Sequence, residues 1–313
     1  LLLPRAENLL IAMLASWKGA QPYLALDAKL PSVRLNRMLL DSQCRLVVGQ
    51  GARPDWLNAD LSWLNTDKLP GEVEPELVMH RTLNIHPQDL AYIIFTSGST
   101  GTPKAVGVSQ TALANYVAAV SPTLALPEDA ELLTLATVAA DLGHTSVFGA
   151  LLTGRCLRLV DDELAKDPQA LAEILAERPV DCLKIVPSHL NALLSVQNPQ
   201  QLLPRSCLVL GGEGLNPELV QRIQTLAPEC RIINHYGPTE ATVGCLAGVI
   251  NGEGAGLSGY LPLGNALPGY QILVLDKGLR PIPAGNDGEL YISGPSLARG
   301  YLGKPDLTAE RFI

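Results

Sequence analysis

AYIIFTSGSTGTPKAV, Ala91 to Val106, runs from an apolar segment straight into a loop built for an anion. Ala91 to Phe95 reads as a strand. The nine residues that follow, Thr96 to Lys104, carry five hydroxyls, two glycines, one proline and one lysine. Glycine lets backbone N–H groups approach an anion closely, the hydroxyls add donors, and the terminal lysine supplies a mobile positive charge. Such a loop suits a nucleotide polyphosphate. Its spacing differs from the Walker pattern, since Pro103 precedes Lys104 and Ala105 follows it. The plain alternative is a Ser/Gly-rich surface turn.

Outward from this loop, helix and strand patterns alternate. Toward the N-terminus, Leu10, Met13, Leu14 and Trp17 at helical spacing predict a helix over Glu7 to Lys18, ended by Gly19. A short strand over Pro22 to Leu26, a helix over Ser32 to Asp41 and a buried strand over Cys44 to Val48 follow. Beyond the loop, helices are expected at Gln110 to Val120, Thr145 to Leu152, Asp167 to Glu177, Ser188 to Val196 and Pro217 to Leu226. Strands are expected at Leu132 to Val138, Asp181 to Val186, Leu208 to Leu210 and Arg231 to Asn234. This alternation predicts an α/β fold. After Gly248, glycines at 252, 254, 256, 259, 264 and 269 precede β-like runs at Gln271 to Leu275 and Gly288 to Ile292. The expected division is a first α/β subdomain over 1–120, a second over 121–248 and a smaller β-rich subdomain over 249–313.

The chain has 313 residues, 47% of them hydrophobic, enough for substantial cores. A net charge of −8 without a long basic block argues against nucleic acid or an anionic membrane as a partner. No apolar stretch reaches the ~20 residues that span a bilayer, and the N-terminus lacks the layout of a secretory signal. A soluble, cytoplasmic protein is expected. Six scattered cysteines, without a CxxC pair or a neighbouring histidine at ligand spacing, fit a reducing compartment and no metal site of their own. His80, His86, His144 and His189 likewise lack partners at such spacing and are assigned no chemistry.

Four ordered segments carry a resemblance. Trp17 to Leu39, Tyr92 to Val106, Asn234 to Val243 (NHYGPTEATV) and Gly288 to Phe312 (GELYISGPSLARGYLGKPDLTAERF) together resemble the adenylation domains of nonribosomal peptide synthetases. Those domains belong to the adenylate-forming superfamily with acyl-CoA synthetases and luciferases. The resemblance implies two packed βα subdomains with a smaller distorted barrel. It also implies attack of an amino-acid carboxylate on the α-phosphorus of ATP with Mg²⁺, giving aminoacyl-AMP and pyrophosphate. The aminoacyl group then passes to the phosphopantetheine thiol of a peptidyl carrier protein, beside other synthetase domains. By resemblance, Thr96, Ser97, Ser99, Thr100 and Lys104 hold the β/γ-phosphates. Tyr236 with Gly237 meets adenine, Asn234 and the Gly211-Gly212-Glu213 turn line the base, Thr239 meets the α-phosphate, and Glu240 coordinates Mg²⁺. An aromatic face for a base and a hard oxygen for a hard cation make physical sense. The plain alternatives are core packing for Tyr236 and a helix cap for Glu240.

By the same resemblance, the residues of the substrate pocket are Asp141, Leu142, Thr145, Lys184, Val209, Gly211, His235, Val243 and Gly244. In order they spell DLTKVGHVG, similar to the pocket pattern of aspartate-activating domains, which usually carry isoleucine in place of Val243. Charge agrees: Asp141 would pair with the substrate ammonium, and Lys184, set in the apolar run Cys182 to Val186, needs a counter-charge if buried. A substrate carboxylate would supply it, with His235 adding a hydrogen bond. L-aspartate is therefore the expected substrate, and asparagine its nearest rival by size. The plain alternatives are a snorkelling Lys184 with its ammonium in solvent and an Asp141 that caps the helix after it.

Two substitutions depart from the pattern: Ala105 replaces a glycine that usually follows the loop lysine, and Gln110 a common histidine. The chain also stops before the family's ribose-binding aspartate and its C-terminal subdomain, so weak adenylate formation by this stretch alone is expected. An acyl-CoA or aryl-acid ligase of the same superfamily is the rival enzyme, and a catalytically silent synthetase module the rival of another class.

Overall fold

The computed structural model describes residues 1–69, 84–96, 103–137, 139–250 and 259–313. In chain order they begin with α1 (Glu7–Lys18), β1 (Tyr23–Leu24), α2 (Ser32–Asp41), β2 (Leu46–Gly49), β3 (Ser62–Asn65), β4 (Leu90–Thr96), β5 (Lys104–Ser109) and α3 (Gln110–Leu124). Next come β6 (Glu131–Thr134), α4 (His144–Leu151), β7 (Cys156–Arg158), α5 (Pro168–Glu177), β8 (Cys182–Ile185), α6 (Pro187–Leu193), β9 (Cys207–Gly211), α7 (Pro217–Leu226) and β10 (Arg231–Tyr236). The rest is β11 (Leu246–Val249), β12 (Asn265–Ala266), β13 (Gln271–Leu275), β14 (Glu289–Ser293), β15 (Gly300–Tyr301) and α8 (Pro305–Arg311). The α/β expectation holds. Val138, His80 and the glycines at 252, 254 and 256 lie outside the described residues.

Two compact units divide these elements. The first comprises Leu1–Gln110, Thr137–Ala140 and Arg299–Ile313. Its sheet runs β1-β4-β5-β15, with β1 parallel to β4 and the other pairs antiparallel. Ala91 to Ile94 are buried, as their unbroken apolar run requires, and the register pairs Thr96 with Lys104 at the loop's two ends. α2 buries Leu35, Met38 and Leu39, one face at helical spacing, against Leu24, Val47 and Ile93.

The second unit comprises Thr111–Ala136 and Asp141–Ala298. Its sheet has the order β12-β11-β10-β9-β8-β6-β7, parallel from β7 through β10 and antiparallel at β11 and β12. Strands buried on both faces carry continuous apolar runs. β9, Cys207-Leu208-Val209-Leu210-Gly211, is buried throughout. The helices are cut by local chemistry: Asp167 caps α5 through the Gln169 and Ala170 amides, Asn216 caps α7 through Leu219, and Pro168 and Pro217 open them. Leu171, Leu175, Leu190, Leu219 and Ile223 from these helices pack on Leu133, Leu183 and Leu208 of the sheet. β8 is the exception to the apolar rule, because Lys184 is buried in it with only 1% of its surface exposed.

Candidate active site

Parallel α/β sheets bind ligands beyond the carboxyl ends of their strands, and there β8, β9 and β10 place their polar residues. Lys184 lies opposite Val209 on β9, and Gly211 opposite His235 on β10. Lys184 and His235 thus stand on strands separated by β9, yet Lys184 Nζ lies 2.9 Å from His235 Nδ1. Gly211 allows this contact. A Cβ there would sit 2.7 Å from Lys184 Nζ and 2.3 Å from the His235 carbonyl oxygen. Gly244 clears the other side, where a Cβ would fall 2.0 Å from His235 Cε1. His235 Nε2 lies 3.2 Å from the Tyr116 hydroxyl, which is 2.8 Å from Thr145 Oγ1. Lys184, His235, Tyr116 and Thr145 form a buried polar chain, each at most 2% exposed.

Burial shifts every titratable member. It lowers the Lys184 ammonium to about 7, against a partial opposing pull from Cys182 and Asp141. It holds His235 well below the usual histidine range, with Lys184 adding to the effect, so the ring is neutral at pH 7. It raises the Tyr116 phenol. The snorkelling alternative for Lys184 fails, because its ammonium is enclosed. Among the described residues, its one hydrogen-bond partner is an uncharged ring.

Asp141 is buried as well, at 8% exposure, and burial raises its carboxyl to about 6 while Thr239 and the Val243 backbone pull it back. Its Oδ2 has no hydrogen-bond partner among the described residues. Asp141 opens a short 3-10 turn, and α4 is capped at Gly143 without a side-chain bond, so Asp141 is no helix cap. The turn facing it is strained. Thr242 and Val243 are consecutive β-branched residues in the left-handed region, at φ 55° and 65°. Such backbone costs on the order of 1–3 kcal/mol per residue and persists only where its surroundings impose it. Here Thr242 Oγ1 donates to Ser296 O at 2.6 Å, the Tyr270 hydroxyl donates to Ala241 O at 2.9 Å, and Ala298 N donates to Glu240 O at 2.8 Å.

The remaining expected residues are placed as follows. Leu142 and Tyr236 are half-buried, Val209 is fully buried, and Gly237 packs on Gly244, where a Cβ would approach its Cα to 2.3 Å. Thr239, Glu240 and Ala241 form a 3-10 turn that Pro238 opens, with Glu240 in its first turn. Asn234 is buried with its amide donated to Pro262 O at 2.7 Å. Glu213 accepts from Ser188 N at 2.9 Å and Ser188 Oγ at 2.7 Å, and Gly212 beside it turns at φ 85°. The Asn234 and Glu213 side chains are thus engaged within the protein. In the first unit, Lys104 opens β5 with its ammonium 5.0 Å from the centre of the Tyr301 ring. Ser97, Ser99 and Thr100 lie outside the described residues. Ala105 pairs with Phe95 inside β5 and is not among the positive-φ residues, so the missing glycine imposes no strain. Sequence reasoning missed Tyr116, Tyr270 and Ser296. Tyr116 alone had a legible signal, a phenol on the buried stripe of α3, where a hydroxyl needs a partner.

Glu240 is near enough to Asp141 to raise its pKa, and among the described residues no three His, Cys, Asp or Glu side chains converge as a metal cage. A lone carboxylate suits Mg²⁺, which is held largely by substrate phosphates and water.

The family model of the AMP-binding enzyme matches residues 1–302. The dimodular nonribosomal peptide synthase of Bacillus subtilis strain 168 is 35% identical over 320 aligned residues, which cover 100% of this chain and 13% of that protein. Bacitracin synthase 1 of Bacillus licheniformis is 31% identical over 318, covering 100% of this chain and 6% of that protein. The chain thus spans no more than 13% of the length of these relatives. Among solved structures, the N-terminal subdomain of Klebsiella oxytoca NpsA in complex with 3-hydroxybenzoyl-AMSN matches with a TM-score of 0.85 and 28% identity, over 99% of this chain and 77% of that one. A four-domain nonribosomal peptide synthetase bound to AMP and glycine also matches at 0.85, with 27% identity, over 98% of this chain and 22% of that one. The chain belongs to the AMP-binding enzyme family, which are adenylate-forming ligases, and has the α/β fold of their N-terminal subdomain. Among the described residues no helix is long and apolar enough to cross a membrane.

Proposed function

We propose that this chain is the nucleotide- and amino-acid-binding part of a nonribosomal peptide synthetase adenylation domain that selects L-aspartate. One observation carries the choice of substrate: a fully buried ammonium, Lys184, bonded only to a neutral ring among the described residues. It sits near a buried carboxylate, Asp141, with an unpartnered oxygen. Isolated buried charges are costly. An α-ammonium on Asp141 and a side-chain carboxylate on Lys184 neutralise both, and asparagine neutralises only the first. An acyl or aryl acid lacks the ammonium for Asp141.

In the reaction, the substrate α-carboxylate attacks the α-phosphorus of ATP, and pyrophosphate leaves with the electron pair of the broken P–O bond. Side chains make no covalent bond, so they act by position and charge. Thr96, Ser97, Ser99, Thr100 and Lys104 are assigned to the β/γ-phosphates, Thr239 to the α-phosphate, Tyr236 and Gly237 to adenine, and Glu240 to Mg²⁺. When bound, the cation neutralises phosphate charge. The product aminoacyl-AMP then serves a carrier protein's phosphopantetheine thiol. Amino-acid-dependent ATP–pyrophosphate exchange tests this reading, with the chain joined to the C-terminal subdomain of a matched relative. Aspartate should support exchange far above asparagine, glutamate and leucine. Strong exchange with leucine and none with aspartate would sink it.

A further inference from the structure

The polar chain behind Lys184 has a direction set by hydrogen-bond capacity. Below about pH 7, where Lys184 is protonated, its ammonium has three donors and no acceptor, so His235 Nδ1, 2.9 Å from Lys184 Nζ, accepts and the ring hydrogen sits on Nε2. That N–H is buried and needs an acceptor. Tyr116 Oη, at 3.2 Å, is the acceptor, and its own hydrogen is passed to Thr145 Oγ1 at 2.8 Å. The phenol is held there by its place on the buried face of α3, with Leu113, Val117 and Val120, and by an edge-on contact with the His235 ring at 6.0 Å and 68°.

We propose that Tyr116 is a positioning residue of the substrate site: its hydroxyl accepts the buried Nε2–H of His235 and so fixes the ring's orientation, and His235 in turn holds the Lys184 ammonium in one orientation. Without the phenol oxygen, the Nε2–H is buried and unsatisfied. The ring then has no contact that holds its tilt, and as it turns to satisfy that N–H, Nδ1 moves off the Lys184 ammonium it anchors. Tyr116 therefore acts on the acidic end of the substrate without touching it. The effect on binding rests on the aspartate reading above, whereas the tautomer does not.

The test uses this chain, wild type and Tyr116→Phe, which keeps the ring and removes one oxygen. Ring ¹⁵N shifts are read by NMR on protein labelled at histidine, with His235 assigned by its loss in His235→Gln. At pH 6, where Lys184 is protonated, the wild type without amino acid should show His235 as Nε2–H with that proton hydrogen-bonded and protected from exchange, and Tyr116→Phe should shift the Nε2–H resonance and lose the protection. By calorimetry, L-aspartate should bind Tyr116→Phe roughly 10-fold more weakly, while L-asparagine and ATP bind unchanged. An Nδ1–H tautomer in the wild type overturns the proposal whatever the variant does. So does a Tyr116→Phe protein whose Nε2–H resonance and exchange protection are unchanged, or one that weakens on all three ligands alike, as loss of packing would produce. Because the signature is read without amino acid, a wild type that fails to bind aspartate defeats the substrate assignment and leaves the tautomer result standing.

Discussion

Lys184 shares β8 with Cys182, Leu183 and Ile185, all buried, and cannot reach water from there. The chemistry of the site follows from that one position and from Asp141. Burial leaves Lys184 at about 7 and Asp141 at about 6, against ordinary values of 10.5 and 3.8. The signs differ. Asp141 is raised, so its contribution to stability is complete below 3.8 and lost as pH rises through about 6. Lys184 is lowered, so its contribution is complete above 10.5 and lost as pH falls through about 7. The ligand-free protein should lose stability into the interval from both sides. On the proposed assignment L-aspartate would pair both charges, and it should stabilise most near pH 6–7, where Asp141 is ionised and Lys184 still protonated. Thermal midpoints measured with and without L-aspartate from pH 5 to 9 check this, and L-asparagine should lack the alkaline limb. A residue-scale reading of the sequence found both charges. It missed Tyr116, because a tyrosine on an apolar helix face reads as core until the group opposite its hydroxyl is known.

At the scale of elements, the meeting of Lys184 with His235 depends on β9 having no side chain at Gly211. Gly211→Ala should push the new methyl against the His235 carbonyl and Lys184 Nζ, since neither backbone nor a bonded ammonium gives way easily. Overpacking of this kind costs about 1–3 kcal/mol. Denaturant unfolding should show that loss, and calorimetry should show weaker L-aspartate binding through the displaced ammonium. The long helices and buried strands were legible: α1, α2 and α7 run over the spans their apolar spacing and caps predict. Several strands were not. β15 has two residues, and β5 is KAVGVS, whose glycine and flanking polar residues mask it. Both are defined by partners: β5 by β4 across the loop, and β15 by β5, far earlier in the chain, where Tyr301 pairs with Val106 in register. Long-range pairing of short segments leaves no local pattern to read.

For the whole molecule, a net charge of −8 disfavours an acidic ligand, so selection of one must come from a local positive group. Motif order made the fold class and family legible along the chain. The polar geometry within the second unit was less so, because it depends on small residues, Gly211 and Gly244, that carry no chemistry of their own. Selection by Lys184 is tested most directly in the Lys184→Leu variant of the exchange-competent protein, by the ratio of kcat/KM for L-aspartate to that for L-asparagine. The ratio should fall at least about 100-fold, the scale of removing one partner of a buried charge pair, while the KM for ATP is retained. An unchanged aspartate preference in that variant would contradict the assignment.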